Sequence, residues 1–292
     1  MVLQAPPPTR KLLVTWEKLP DNFVLPDDPV ENIQQPPLAA ALTDALGEAN
    51  LIPPNALIAS NFGLVATING KTVVKAPDWL YIPQANPVPA GVIRRSYTPN
   101  LEGEPVAIVM EFLSETDTEE YSLRPTFPYG KLFFYERILQ VPIYVIFDPA
   151  DAFLEVRQLQ NGQYTLIPPN ANERFWIPEI QLFLGRWWGE RLGTTGHWLR
   201  WWDAAENLLL WSFEQAEQER QRAEQERQRA EQERQRAEQE RQRAEQERLR
   251  AEEESQRAEQ ERQRAEQERQ RAEAAEQELA RLRAQLRQQG ES

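Results

Sequence analysis

At 292 residues the chain is long enough for one ordinary domain with a further element beside it. It has no cysteine and one histidine, His197. That excludes disulfides, thiolate metal sites and cysteine nucleophiles, leaves a Ser-His-Asp triad a single candidate base, and confines any metal site largely to oxygen ligands of the kind Mg²⁺ or Mn²⁺ takes. Acidic residues outnumber basic ones by 24 to 15 over residues 1–213 and by 22 to 18 over 214–292, within a net charge of −13. A global basic surface for nucleic acid is therefore missing, and DNA binding would have to rest on a local patch or a metal. The start, "MVLQAPPPTRKLLVTW", has no basic flank leading into a sustained apolar run, and no run of 18 apolar residues occurs after it. The expectation is a soluble, cytoplasmic chain with no signal peptide and no membrane contact.

Residues 1–35 are rich in Pro and Asp and read as an extended arm. "PLAAALTDALGE" (37–48) predicts a short helix with Leu38, Leu42 and Leu46 or Ala45 on one face. From 56 to 184 the chain is a series of short β-branched and aromatic runs bounded by Gly, Pro or Asn. They are "ALIASN", "LVATI", "TVVK", "DWLYI", "VAIVMEFLS", "IYVIFD", "FLEVRQL" and "YTLI". One helix interrupts them, "TFPYGKLFFYERILQ" (126–140), with Thr126 as its cap and Pro142 just past its end. Asn161-Gly162 turns a hairpin. A strand set with one strand–helix–strand crossover predicts an α/β or α+β domain.

Six of the nine tryptophans lie in 185–211, where "HWLRWW" and "NLLLW" read as a second hairpin around "DAAE". These rings are expected to pack that hairpin onto the sheet and anchor the C-terminal segment, not to stack bases. "SFEQ" (212–215) then has capping-box spacing. Eight heptads of "AEQERQR" and close variants occupy 216–271. They form a lattice of Glu and Arg at three- and four-residue spacing, each pair worth a few tenths of a kcal/mol. Only Ala fills the seam until Leu279, Leu282 and Leu286, so a long solvated helix is expected, a spacer more than a strong zipper. The expected divisions are an arm (1–35), a core domain (36–185), a Trp-rich hairpin (186–211) and a charged helix or coiled coil (212–292).

The chemistry centres on "PVAIVMEFLSET" (105–116), where Glu111 sits inside an apolar run. Burying a carboxylate costs several kcal/mol unless it is paired. Setting "DWLYI" antiparallel to "AIVMEFLS" brings Asp78, which opens its strand, near Glu111, late in its own. Two carboxylates together repel unless a cation lies between them, and a Mg²⁺ held by one or two carboxylates, water and phosphate is one solution. Lys131 shares a face with Phe127, Phe134 and Ile138 and points a cation toward the pair. It could neutralise charge on a phosphate, or orient or deprotonate a metal-bound water.

"PDWLYIP", "VMEFLSET" and "GKLFFYERILQVPIYVIFDP" followed by "FLEVRQL" together resemble the Uma-type restriction endonucleases, a family common in cyanobacteria within the PD-(D/E)xK nuclease superfamily. Asp78, Glu111, Ser114, Lys131, Tyr135, Val141, Pro142, Tyr144, Asp148 and Pro149 stand at that pattern's positions, and the match covers about 56–185. The resemblance implies a restriction-endonuclease-like mixed sheet flanked by helices, with Asp78 and Glu111 binding Mg²⁺ or Mn²⁺ and Lys131 serving the nucleophilic water. It also implies a further acidic ligand from an early helix, for which Glu48 is the candidate. Leu113 stands where the lysine would be two residues after the glutamate. The function implied is metal-dependent endonucleolytic hydrolysis of DNA. The alternative is an inactive nuclease-fold scaffold, Lys131 bridging the carboxylates. Its long helix would then self-associate or dock a protein partner. The acidic "ETDTEE" (115–120) reads as a solvated loop, and Asp148 as a turn residue.

Overall fold

The computed structural model describes residues 12–18, 33–113 and 119–289. Most of the arm and Ser114 lie outside them. The chain divides into two compact units, residues 1–216 and 217–292.

In the first unit every strand expected between 56 and 184 forms. The central sheet has six: β2 (Leu57–Ala59), β5 (Trp79–Ile82), β7 (Ile108–Phe112), β8 (Ile143–Asp148), β9 (Phe153–Gln160) and β10 (Gln163–Leu166), in the order β10-β9-β8-β7-β5-β2. All neighbours are antiparallel except β7 and β8. A parallel pair needs a crossover, and helix α2 supplies it, an α-turn over Lys131–Phe133 continuing as a π-helix over Phe134–Leu139. Asn161 and Gly162 both take positive φ (52° and 75°), the two-residue turn that matches strand twist.

Side chains alternate across the sheet, so each strand feeds two cores. One face carries Trp79, Tyr81, Ile108, Met110, Phe112, Val145 and Phe147, buried under helix α1 (Gln35–Glu48). On α1 the predicted stripe of Leu38, Leu42, Ala45 and Leu46 is buried. The other face carries Leu80, Ile82, Val109, Tyr144 and Ile146, covered by α2 and by a small sheet of β1 (Val14–Thr15), β3 (Gly63–Ile68), β4 (Lys71–Lys75) and β6 (Ser96–Tyr97). Fully burying one such side chain contributes about 1.5–3 kcal/mol.

Three expectations change. The crossover helix begins at Lys131, not near residue 126, because its cap Gly130 is extended (φ −67°, ψ 152°) and pressed against the preceding loop. Its N–H donates to Arg124 O at 3.1 Å, and Phe133 N–H donates to Ser122 O at 3.2 Å. Phe127 falls outside the helix and is exposed. The tryptophan-rich hairpin is displaced as well. β12 (Leu182–Arg191) and β13 (Thr194–Trp202) pair through Leu192-Gly193, both at positive φ, with β11 (Arg174–Ile177) on the far side of β12. "NLLLW" gives only a bridge from Leu208 to Trp202. Third, the long helix α3 (Ser212–Gln289) is capped by Glu214, whose carboxylate accepts the Trp211 backbone N–H at 2.8 Å, in place of the Ser212–Gln215 box.

The tryptophans pack as expected. Trp201 and Trp211 donate their indole N–H groups to the carbonyls of Leu42 and Ala41 in α1, at 3.2 and 3.0 Å. Arg200, fully buried, lies 3.4 Å from the centre of the Trp211 ring and pairs with Glu214 at 2.6 Å. In the second unit α3 is exposed throughout its described side chains, with pairs such as Glu217–Arg220 (3.1 Å) along it. At 78 residues the whole helix spans about 120 Å. Among the described residues no helix is long and apolar enough to cross a membrane.

A Cβ added to Gly130 would lie 2.1 Å from Ser122 O, whereas one at Gly196 meets nothing within 4 Å. Gly130→Ala is therefore expected to cost about 1–3 kcal/mol in urea denaturation, and Gly196→Ala to change stability by less than about 0.5 kcal/mol. Equal effects would mean that the Gly130 contact does not set the start of α2.

Candidate functional site

β5 and β7 run antiparallel with Trp79 opposite Met110 and Leu80 opposite Val109. The residue before Trp79 therefore falls across from the residue after Met110, and Asp78 faces Glu111 on the α2 side of the sheet. The backbone N–H of Phe112 donates to Asp78 Oδ2 at 2.5 Å, tying the start of one strand to the end of the other. The pairing expected from the sequence holds in the register.

Glu111 is completely buried. Its two oxygens are met by side chains one helical turn apart on α2. The Tyr135 hydroxyl donates to Oε1 at 2.8 Å, and the Lys131 ammonium donates to Oε2 at 3.2 Å. Such π-helical segments recur at functional sites. Burial pushes the Glu111 carboxyl above its ordinary range, against the opposing pull of Lys131 and Tyr135. For Lys131 burial is the largest single influence and lowers its pKa. Glu111, Glu120 and Asp78 together outweigh it, so the ammonium is held more firmly than in water. Tyr135 and Tyr144 are both raised well above the usual tyrosine value, by burial first and by Glu111 second, and stay neutral donors.

A residue absent from the sequence-based set completes the cluster. Glu120, in a 3-10 turn (Glu119–Tyr121), accepts from Lys131 at 3.0 Å and is itself buried. The Tyr144 hydroxyl fixes its backbone carbonyl at 2.9 Å. This corrects the reading of the acidic run as a solvated loop at Glu120; residues 115–118 lie outside the described residues. No pattern in the sequence marks Glu120: what holds it is the Lys131 ammonium and the Tyr144 hydroxyl, both distant along the chain. Glu48 is not brought here. It is exposed near the end of α1, on the opposite face of the sheet. Asp148 is a turn residue, its Oδ1 accepting the N–H groups of Ala150 (2.9 Å) and Asp151 (3.3 Å).

Residues 14–190 match the model of the Uma2 family, described as "Putative restriction endonuclease". The chain belongs to the Uma2 family. Among curated proteins none matches it. The mixed sheet with its crossover helix is the restriction-endonuclease-like architecture, so the family and the fold agree.

Nuclease-like families of this kind generally use divalent metals, and the Uma2 site offers hard donors for one. Glu111 and Glu120 both bring a carboxylate oxygen to the Lys131 ammonium, and Glu120 Oε2 is buried with no hydrogen-bond partner among the described residues. These residues fit an oxygen-liganded cation. No three Asp, Glu or His side chains gather into a metal cage among the described residues. A cation held here would keep water or substrate oxygens in its shell, as Mg²⁺ does.

Removing the ammonium strands two buried carboxylates. Lys131→Met is expected to cost about 3 kcal/mol near neutral pH, the lower end for breaking a buried ion pair, because a fifth of the lysine side chain reaches solvent. Glu111's raised pKa means that, between its ordinary value and the raised one, the folded state holds a proton the unfolded state has lost. Its contribution is therefore most favourable below the ordinary value of 4.5 and is lost as pH rises through the raised folded value. The deficit of Lys131→Met relative to wild type should accordingly shrink as pH falls into that window. A deficit constant with pH in denaturant titrations would contradict the assignment of Lys131 as the partner of Glu111.

Proposed function

We propose that this chain is a Mg²⁺- or Mn²⁺-dependent endonuclease that hydrolyses DNA phosphodiester bonds, with Asp78 and Glu111 as metal ligands and Lys131 as the charged group facing the phosphate. The observation that carries the reading is the convergence of Asp78, Glu111 and Lys131 from two strands and one helix around a single buried carboxylate. Membership of the Uma2 family supports the substrate class.

Bound to these carboxylates, a divalent cation supplies polarisation of the phosphoryl oxygen and a water of lowered pKa. The chain's own residues do the rest. Asp78 is oriented by the Phe112 N–H and Glu111 by the Tyr135 hydroxyl, so the donor oxygens are fixed before substrate arrives. Lys131, kept protonated by its carboxylate neighbours, acts as a hydrogen-bond donor to developing negative charge. The same electrostatics argue against a role as general base, one of the two roles its sequence position left open.

A second reading has one observation of its own. Lys131 already bridges Glu111 and Glu120, as a retired site would require. Under that reading the domain is a scaffold, and α3 is where a second copy or a protein partner docks.

Cleavage of double-stranded DNA by the full chain separates the two. Activity is expected with Mg²⁺ or Mn²⁺ and should vanish with chelator. It should fall at least about 100-fold in Asp78→Asn, Glu111→Gln and Lys131→Met while the variants stay folded. Full activity in Glu111→Gln would remove the assignment, and an inert wild type would favour the scaffold.

A further inference from the structure

Glu120 is the unusual group of this cluster. It is 3 % exposed, yet only one of its carboxylate oxygens has a hydrogen-bond donor among the described residues. A buried carboxylate oxygen without a partner is costly and calls for a ligand or ion. The single ammonium of Lys131 meanwhile serves two carboxylates, 3.2 Å from Glu111 and 3.0 Å from Glu120. One positive charge thus stands where two negative groups converge. A divalent ion would balance both and give the second oxygen of Glu120 a partner. The lysine also has somewhere to go, since its side chain is 20 % exposed and carries its charge on a flexible four-carbon stem.

We propose that the point held by Lys131 Nζ between Glu111 and Glu120 is itself the divalent-cation seat, with Glu120 a metal ligand and the ammonium an internal occupant that the metal displaces. The inference rests on the metal-dependent reading of the site and extends it. Lys131 closes the site when metal is absent. Once displaced, the ammonium would move toward solvent, where its side chain is already 20 % exposed, and face an incoming phosphate from there. Competition for the seat means that the lysine needed for hydrolysis weakens metal binding.

The test is calorimetric titration of Mn²⁺ into the full chain near neutral pH, for wild type, Glu111→Gln, Glu120→Gln and Lys131→Met. Glu120→Gln is expected to weaken Mn²⁺ binding about tenfold or more. Lys131→Met is expected to tighten it about tenfold, the size of one competing charge of modest strength. If Lys131→Met does not fold, Lys131→Gln removes the charge and keeps a donor, and the same tightening is expected. The rise in Tm on adding Mn²⁺ should likewise be larger in the lysine variant than in wild type. Wild-type affinity in Glu120→Gln, with binding lost in Glu111→Gln, would overturn the role of Glu120 and leave the metal site standing. Unchanged or weaker binding in both lysine variants would overturn the displaced ammonium. Absence of Mn²⁺ binding in wild type and lysine variants alike would overturn both the inference and the metal-dependent reading beneath it.

Discussion

A carboxylate lies at the centre of this domain, in the middle strand region of a sheet whose neighbouring side chains are almost all apolar. Its burial without a cation would cost several kcal/mol, a large part of the stability of an ordinary domain. Glu111 is tolerated because α2 brings Lys131 and Tyr135 to it from one helical face. The 3-10 turn adds Glu120, a second carboxylate on the same ammonium that opposes the charge on Glu111. The parallel pairing of β7 and β8 forces a crossover, and the crossover is what carries the lysine to the carboxylate. Register, helix and site are therefore one constraint.

The opposite face of the sheet is built on another principle. There the chain buries tryptophans and satisfies their N–H groups on the backbone and side chains of α1, through Trp79 to Thr43, Trp201 to Leu42 and Trp211 to Ala41. Arg191 joins Asp44 at 2.9 Å, and Arg200 joins Glu214. The first turn of α3 is thereby fastened into the core of the first unit. The face that holds the acidic cluster and the face that holds the root of the long helix are separated by the sheet itself.

Period-two alternation made much of this legible. It set Asp78 and Glu111 on one side of two adjacent strands, and the family pattern added Lys131 and Tyr135. The start of α2 was not legible, because Thr126 and Pro128 mimic a helix N-terminus, while the deciding feature is a close backbone contact between Gly130 and Ser122. Glu120 was hidden for a related reason. An acidic run reads as solvated unless the fold supplies a buried cation, and that cation lies eleven residues further on. The Leu192-Gly193 turn escaped because leucine is an unfavoured residue at positive φ, so "RLGT" lacks the usual hairpin signal. Glu48 stays apart from Glu111 for a reason of layers: α1 packs on the opposite face of the sheet.

The central claim is that Glu111 is a metal carboxylate whose place is kept by Lys131, and not one half of a permanent ion pair. Anomalous diffraction from crystals soaked in Mn²⁺ examines it directly. The account predicts a manganese peak bonded to Glu111, with the Lys131 ammonium moved away from Glu111 and Glu120. Lys131 still bridging both carboxylates, with no manganese beside them, would contradict it.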